Sequence, residues 1–212
     1  MIQNPEPLDF IRTNLRLLPA PSVPEISLYT AHPGSGLWRL LGRDNDQPPY
    51  WAYHWAGGSV LARYILDRPE TVAGKRIVDL GTGSGIVGIA AARCGAAHVV
   101  AVDIDPFAVV AAGLNAQANS VEIETMCRNI LAEPPPAADL ILVGDLFYAL
   151  ELADAVLAFL RICRISGMSV LIGDPGRESL PRADLLLLAD YPVADFGDAR
   201  ESASRVSGIY AL

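Results

Sequence analysis

Three glycines at alternate positions follow a short apolar run and precede a helical pattern. The run covers residues 77–80, and the glycines are Gly81, Gly83 and Gly85. A glycine-rich turn between a strand and a helix lets a ligand approach the backbone closely, because glycine has no Cβ. A second apolar run ends at Asp103, where a carboxylate accepts hydrogen bonds from both hydroxyls of a ribose. These residues predict a site for a nucleoside-containing cofactor at the carboxyl ends of parallel strands.

The spacing of the glycines alone does not identify the cofactor. Dinucleotide-binding folds use G-x-G-x-x-G, and this pattern fails when counted from Gly81 but is met when counted from Gly83. The fuller pattern is D-x-G-x-G-x-G, with Asp79 two residues before the first glycine. An acid there favours a cofactor with cationic groups, since a pyrophosphate binds best at a helix N-terminus without nearby negative charge. A nicotinamide or flavin cofactor, and a glycine-rich turn without a ligand, remain the alternatives.

The fuller pattern resembles the first motif of the S-adenosylmethionine-dependent methyltransferases of the seven-strand class. The resemblance implies S-adenosyl-L-methionine as the cofactor and S-adenosyl-L-homocysteine as its product. It also implies a Rossmann-like α/β fold, whose seven-stranded sheet is mostly parallel with an antiparallel last strand. From it we expect the following cofactor-binding residues: Trp55, Asp79, Gly81, Thr82, Gly83, Gly85, Asp103, Ile104 and Asn129.

These residues have different expected roles. Asp79 is expected near the amino-acid moiety, with backbone contacts from the glycine-rich turn beneath it. Asp103 binds the ribose hydroxyls, Ile104 packs against the adenine, and Trp55 closes the pocket. Asn129 stands where many methyltransferases of this class have an acid facing the adenine amine, and an amide oxygen accepts the same hydrogen bond.

A narrower resemblance rests on stretches outside the glycine-rich turn. These are residues 23–26, 49–58, 102–106, 114–119, 144–148 and 173–177. Together they resemble the family-16 group of protein lysine methyltransferases, whose acid-x-x-aromatic motif after the fourth strand is matched by Asp145 and Tyr148. Within that group, they are similar to the subgroup that methylates the electron transfer flavoprotein β subunit, and to its bacterial relatives. The resemblance thus implies that subunit as the protein partner.

Methylation of a lysine requires a neutral amine, yet only roughly 0.04% of free lysine side chains are neutral at pH 7. We expect Asp145 to hold the ammonium group or to accept its proton, and Tyr148 to seat the amine against its ring face. An N-cap role for Asp145 at the turn into the next helix, and a packing role for Tyr148, remain alternatives.

Two other functions stay open. The first is a methyltransferase of the same fold that acts on a ribosomal protein or on a small-molecule amine. The second is a cofactor-binding protein without catalysis, against which the intact acids Asp79, Asp103 and Asp145 count. The fourth strand is not followed by the Asn-Pro-Pro-Tyr type of motif used on amides and on adenine in nucleic acids, which counts against those substrates.

Four aromatic residues lie within the six positions 50–55, between Pro-Pro and Gly-Gly. One interpretation is a hydrophobic plug over the sheet edge. The other is an aromatic wall for the cofactor or for a substrate ammonium group, because ring faces attract cations.

Composition sets the broad class. The 212 residues, 51% apolar and 19% charged, indicate a globular chain, which we divide into an N-terminal extension (1–47) packed on a methyltransferase domain (48–212). The net charge of −8 argues against nucleic acid as a partner. The histidines and cysteines show no metal spacing, and no apolar run is long enough for a membrane span. Without a secretion signal, we expect a cytoplasmic protein in a bacterium, or a mitochondrial matrix protein in a eukaryote.

Alternating strand and helix patterns from residue 75 onward predict the parallel sheet that must position these residues. The predicted strands lie at 25–30, 76–80, 98–103, 121–126, 139–143 and 168–173, with two more in the tail, the last at 206–211. The predicted helices lie at 7–17, 59–67, 84–94, 106–119, 150–164 and 178–189.

Overall fold

A computed structural model of the chain describes residues 6–37, 48–195 and 205–212. The helices are α1 (Pro7–Asn14), α2 (Ala56–Asp67), α3 (Ile86–Arg93), α4 (Pro106–Ala118) and α5 (Leu150–Ile165). The strands are β1 (Arg16–Ala20), β2 (Val23–Thr30), β3 (Arg76–Leu80), β4 (His98–Asp103), β5 (Glu124–Cys127), β6 (Leu140–Gly144), β7 (Ser169–Asp174), β8 (Leu186–Val193) and β9 (Arg205–Ala211).

Seven strands form one sheet in the order β5-β4-β3-β6-β7-β9-β8. The pairs from β5 to β7 are parallel, whereas β9 runs antiparallel to both β7 and β8. The predicted seven-stranded, mostly parallel sheet with an antiparallel last strand is therefore confirmed. The chain order reverses between β3 and β6, and a crevice at such a point is where open α/β sheets bind ligands.

Alternate residues of the central strands enter two separate cores. On one face, Ile77 and Leu142 pack among α2 and α3. On the other face, Val78 and Val143 pack against α5. Because both faces are covered, the residues of the central strands are mostly apolar, as is typical of parallel sheets.

The N-terminal segment packs on the domain through two side-chain amides, one within α4 and one at its C-cap. Asn115 is fully buried; its Oδ1 accepts a hydrogen bond from the Tyr29 amide at 2.7 Å, and its Nδ2 donates to the Ser84 carbonyl at 2.7 Å. Asn119 accepts from the amide of Ser27 at 2.9 Å and donates to its carbonyl at 2.7 Å. The antiparallel hairpin β1–β2 is therefore fastened to the helix, and Asn115 also links it to the glycine-rich turn.

Three predicted elements differ from the structure. The helix predicted at 178–189 is wrong, since residues 182–184 form one 3₁₀ turn and β8 follows. The consecutive leucines 185–188 fit a buried helix or a strand equally well by periodicity, and pairing with β9 decides for the strand. The first helix ends at Asn14, so Leu17 belongs to β1.

The third difference is in the position of a strand along the sequence, because β5 begins three residues later than the strand predicted at 121–126. The proposed boundary between extension and domain, 47/48, falls at the edge of residues 38–47, which lie outside the described residues. In the part of the chain that the structure describes, no helix has the length and apolar character needed to cross a membrane.

Candidate active site

A cavity of about 500 Å³ opens at the carboxyl ends of the parallel strands. Its volume lies within the range of about 300–1,000 Å³ that is typical of small-molecule sites. Eight of the eleven predicted site residues line it: Trp55, Gly81, Gly83, Asp103, Ile104, Asn129, Asp145 and Tyr148. The other three, Asp79, Thr82 and Gly85, are not among the lining residues.

The glycine-rich turn needs its glycines for two reasons. Gly81, Gly83 and Gly85 all adopt positive φ, at 66°, 53° and 84°, where residues with a Cβ are strained. Gly81 is also crowded, since a methyl group there would lie 2.6 Å from the side chain of Leu146. The turn therefore brings its backbone to the cavity wall between β3 and α3.

Asp79 supports this turn from below. It is 1% exposed, and its Oδ2 accepts hydrogen bonds from the Thr82 hydroxyl at 2.6 Å and the Gly88 amide at 2.9 Å. Burial raises the pKa of Asp79 to about 6, against the lowering effect of these two bonds. Asp79 and Thr82 thus fix the turn to the start of α3 rather than facing the cavity.

Asp103 ends β4 at the cavity wall. Its Oδ2 accepts a hydrogen bond from the Gly83 amide at 2.9 Å, and its Oδ1 accepts one from the Asp105 amide at 3.0 Å. Burial raises the pKa of Asp103. The next acid, Asp105, has its own structural task as the N-cap of α4, where it accepts from the Phe107 amide at 2.8 Å.

Apolar and amide groups continue the wall beside Asp103. Ile104 is 57% exposed although it is aliphatic, and it faces the cavity. Asn129 is exposed, and its Oδ1 accepts a hydrogen bond from the Leu131 amide at 3.1 Å, so one of its acceptor positions is already used. A carboxylate beside an exposed aliphatic side chain and a bare glycine backbone fits an adenosine, with ribose hydroxyls on Asp103 and a planar base on Ile104.

Asp145 lies on the other side of the cavity and is held at both oxygens. Its Oδ2 accepts a hydrogen bond from the Gly57 amide at 3.0 Å, and its Oδ1 accepts one from the Arg177 Nε at 2.7 Å. Its backbone has a φ of 61°, which is uncommon for a residue other than glycine. The N-cap alternative is wrong for α5, because Ala149 holds that position.

Close contact between α2 and the sheet makes the bond from Gly57 possible. A methyl group on Gly57 would collide with the carbonyl of Gly173 and lie 2.6 Å from the backbone nitrogen of Asp145. Gly58 packs against Gly144 in the same way, because a methyl group on Gly144 would lie 2.9 Å from the Cα of Gly58. The Gly-Gly pair therefore lets the N-terminus of α2 reach the ends of β6 and β7.

Arg177 is a cavity-lining residue that the sequence patterns do not predict. It lines the cavity, pairs with Asp145, and also contacts Asp195, with 3.5 Å between Nη2 and Oδ2. Its backbone amide donates to the Oδ1 of Asp174 at 2.7 Å. Asp174 is fully buried, and burial raises its pKa to about 6. The available signal was an acid at the end of an apolar strand, the same pattern that identified Asp103.

The aromatic stretch 50–55 is divided between a hydrophobic core and the wall of the cavity. Trp51 is buried and stacks on Phe107 of α4, with 5.8 Å between ring centroids, so it packs against a helix rather than over the sheet edge. The ring of Tyr50 lies 5.6 Å from those of both Trp55 and Tyr148, and all three line the cavity. They form an aromatic wall (Tyr50, Trp55 and Tyr148) on the side of the cavity that holds Asp145.

Comparison with known proteins gives three kinds of match. A family model described as ribosomal protein L11 methyltransferase (PrmA) matches residues 61–164. The electron transfer flavoprotein β-subunit lysine methyltransferase of Danio rerio is 40% identical over 195 residues, covering 88% of this chain and 76% of that protein. The protein of the same name from Homo sapiens is 39% identical over 180 residues, covering 82% of this chain and 68% of that protein.

Solved structures agree in fold. The magnesium protoporphyrin IX methyltransferase of Synechocystis PCC 6803 with bound SAM matches with a TM-score of 0.51 and 15% identity, over 70% of this chain and 77% of that one. Its structure with bound SAH matches with a TM-score of 0.50 and 19% identity, over 71% and 78%. At these identities, the likeness concerns the fold alone.

Proposed function

This chain belongs to the family of electron transfer flavoprotein β-subunit lysine methyltransferases and is a protein-lysine methyltransferase, and from that premise we propose its donor, acceptor and site. The proposed donor is S-adenosyl-L-methionine, bound along the glycine-rich turn and Asp103. The proposed acceptor is a lysine of the electron transfer flavoprotein β subunit, held between Asp145 and the aromatic wall.

The observation that carries this proposal is an excess of negative charge beside aromatic rings. Arg177 is accompanied by the carboxylates of Asp145, Asp174 and Asp195, so one guanidinium stands against three acids. Tyr50 and Tyr148 line the same cavity as Asp145 and Arg177. Excess negative charge and exposed ring faces together favour an alkylammonium ligand over a carboxylate or a neutral amide.

When bound, the donor supplies a sulfonium methyl group that an amine nitrogen displaces in line. Asp103 and the backbone of Gly81 and Gly83 would hold its ribose and amino-acid portions, and Ile104 would cover its base. The fit is supported by the exposed Ile104 beside the Asp103 carboxylate and by the size of the cavity.

The residues of this chain orient the acceptor. Each oxygen of Asp145 already accepts one hydrogen bond, and a carboxylate oxygen has a second acceptor position. Asp145 therefore accepts a hydrogen bond from the lysine ammonium and holds it against the rings of Tyr148 and Tyr50. Asp145 is also placed to take up the proton that the ammonium must lose, which leaves the neutral amine as the nucleophile.

A ribosomal protein or a small amine as acceptor is the second candidate. Its support is the family model that matches residues 61–164. That segment includes the glycine-rich turn and Asp145 but neither Trp55 nor Arg177. The similarity to relatives named for the flavoprotein subunit, by contrast, extends over more than four fifths of the chain, which favours that acceptor.

The test compares two acids that line opposite sides of the cavity. The protein is incubated with tritiated S-adenosylmethionine and either purified electron transfer flavoprotein or ribosomal protein L11, and binding of S-adenosylhomocysteine is measured by calorimetry. Asp145→Ala should lose methyl transfer by about 100-fold or more while binding S-adenosylhomocysteine normally, because it removes an orienting group. Asp103→Ala should lose binding of S-adenosylhomocysteine by about 10-fold or more, since it removes both ribose acceptors.

Labelling of a lysine in the flavoprotein β subunit is the expected result. Labelling of ribosomal protein L11 alone would contradict the proposed acceptor. Full activity of Asp145→Ala on a labelled acceptor would show that the role given to Asp145 is wrong.

A further inference from the structure

We propose that Arg177 and Asp195 are positioning residues that fix Asp145 and Trp55 on either side of the acceptor amine. The proposal rests on the function proposed above, because it assigns Asp145 to the amine. It adds two residues that have no counterpart in the acid-x-x-aromatic motif.

The contacts form a closed ring at the N-terminus of α2. The Ala56 amide donates to the Oδ1 of Asp195 at 3.1 Å, and the Oδ2 of Asp195 lies 3.5 Å from the Nη2 of Arg177. The Nε of Arg177 donates to the Oδ1 of Asp145 at 2.7 Å, and the Oδ2 of Asp145 accepts from the Gly57 amide at 3.0 Å. Adjacent amides of one helix are thus joined through two carboxylates and one guanidinium.

This ring determines where two cavity-lining groups stand. Trp55 immediately precedes the residues that carry the two amides, and it is the N-cap residue of α2. The closed ring of contacts therefore fixes the turn that carries the indole of Trp55. Trp55 also donates from Nε1 to the Tyr50 carbonyl at 2.8 Å. The orientation of Asp145 and the placement of the aromatic wall therefore depend on the same guanidinium.

Arg177 is itself held in place by its loop. The Oδ1 of Asp174 accepts from the amides of Gly176 at 2.6 Å and Arg177 at 2.7 Å. The side chain of Arg177 is 24% exposed and that of Asp145 is 7% exposed, so the pair is shielded from solvent far more than a surface pair. In a partly buried pair, removal of one partner leaves the other charge uncompensated, and its geometry is lost.

Arg177→Met removes the guanidinium that links the two carboxylates of the closed ring, whereas Arg177→Lys keeps part of that link. A lysine keeps the charge next to Asp145 but lacks the planar fork that reaches two carboxylates at once. Asp195→Asn keeps an acceptor for the Ala56 amide and removes the negative charge that faces Arg177 and His54. Turnover is measured on the flavoprotein subunit at saturating donor, and is expressed per site that binds S-adenosylhomocysteine.

We expect kcat of Arg177→Met to fall about 10- to 100-fold, with KM for the protein substrate changing less than about 3-fold, because misplacement of an orienting group by about 1 Å has an effect of this size. Arg177→Lys and Asp195→Asn should lie between this variant and the wild type. Binding of S-adenosylhomocysteine should stay within about 3-fold of wild type in all three, since Asp103 and the glycine-rich turn are untouched.

Arg161→Met is the matched control. Arg161 pairs with Asp184 at 3.1 Å, and both side chains are about half exposed. Loss of such a surface pair has little effect on stability, and neither residue lines the cavity. Its kcat should equal that of the wild type.

The outcomes separate the two proposals. A wild-type protein that methylates no lysine overturns the proposed function and the positioning role with it. With an active wild type, a kcat of Arg177→Met within 2-fold of wild type overturns the positioning role alone. So does an Arg177→Lys no better than Arg177→Met, or a loss of turnover that follows a loss of S-adenosylhomocysteine binding.

Discussion

The two sides of the cavity are built in different ways. The side proposed to bind the methyl donor (the donor side, from Gly81 to Asp103) consists of backbone and of carboxylates that accept hydrogen bonds from nearby backbone amides. The side proposed to bind the methyl acceptor (the acceptor side) consists of side chains that come from four separate segments, at residues 50–55, 145–148, 177 and 195.

This difference makes the donor side rigid and leaves the acceptor side open to change by substitution. Backbone held by left-handed glycines allows few substitutions, and it suits a cofactor that is the same in every methyltransferase of this kind. Side chains on loops can change one at a time, and they suit an acceptor that differs between enzymes. Substitutions on the donor side should therefore act on cofactor binding, and those on the acceptor side on turnover or on KM for the protein substrate.

Among the further substitutions that test this comparison, Gly81→Ala on the donor side should have the largest effect. The new methyl group would meet Leu146 at 2.6 Å, and the φ of 66° is strained for alanine. We expect the affinity for S-adenosylhomocysteine to fall about 10- to 100-fold, equivalent to about 1.4–2.7 kcal/mol, as measured by calorimetry.

Gly95→Ala controls for the backbone strain. Gly95 has a φ of 80° and no atom within 4 Å of the position its methyl group would take. It should lower the free energy of unfolding by about 1 kcal/mol and leave the affinity unchanged. Equal losses of affinity in both variants would contradict a specific role for the backbone at Gly81.

An intermediate effect is expected from Tyr50→Ala on the acceptor side. Tyr50 contacts both other rings of the aromatic wall, and a cation–π contact contributes about 0.5–2 kcal/mol, or about 2- to 30-fold. KM for the protein substrate should rise by this factor in steady-state assays, with unchanged binding of S-adenosylhomocysteine. Tyr50→Phe keeps the ring and should behave like the wild type; a Phe variant as weak as the Ala variant would show that the hydroxyl matters instead.

The smallest effect on methyl transfer is expected from Asp174→Asn. This substitution should instead change how the free energy of unfolding depends on pH. The pKa of Asp174 in the folded protein is about 6, raised by burial, against about 3.9 when unfolded. The folded state thus binds more protons than the unfolded state between these values, so this carboxyl lowers the free energy of unfolding as pH rises from about 4 to about 6.

Asparagine does not titrate, so Asp174→Asn should gain stability relative to the wild type over this pH range, by up to about 3 kcal/mol. Urea denaturation of both proteins between pH 4.5 and 7.5 measures the difference. Curves that stay parallel across the range would mean that Asp174 keeps an ordinary pKa in the fold.

The contrast between the two sides of the cavity also explains which site residues can be predicted from the sequence. The glycine-rich turn, its supporting Asp79 and the acid ending the next strand lie within 25 residues, and they follow from strand and turn patterns that act locally. The resemblance to a family motif predicts Asp145, but the motif does not show that its carboxylate accepts hydrogen bonds from Gly57 and Arg177. Those partners are 88 and 32 residues away, and only the order of the strands brings them together.

Local patterns failed for a related reason at the end of the chain. The leucines 185–188 have no periodicity that separates a helix from a strand, and β9, which pairs with them, comes later in sequence. Likewise, no local pattern shows that Asp79 faces Thr82 and Gly88 rather than the cavity. In both cases the outcome depends on packing partners rather than on intrinsic preference.

Asn115 gives the fold an order of assembly. Its side chain joins Tyr29, which lies 86 residues earlier, to Ser84, which lies 31 residues earlier. During synthesis, the hairpin and the glycine-rich turn both leave the ribosome before the residue that connects them. This support for the turn is therefore available only after Asn115 has been synthesised, and forming it closes a long loop of chain, whose entropic cost grows with the length of that loop.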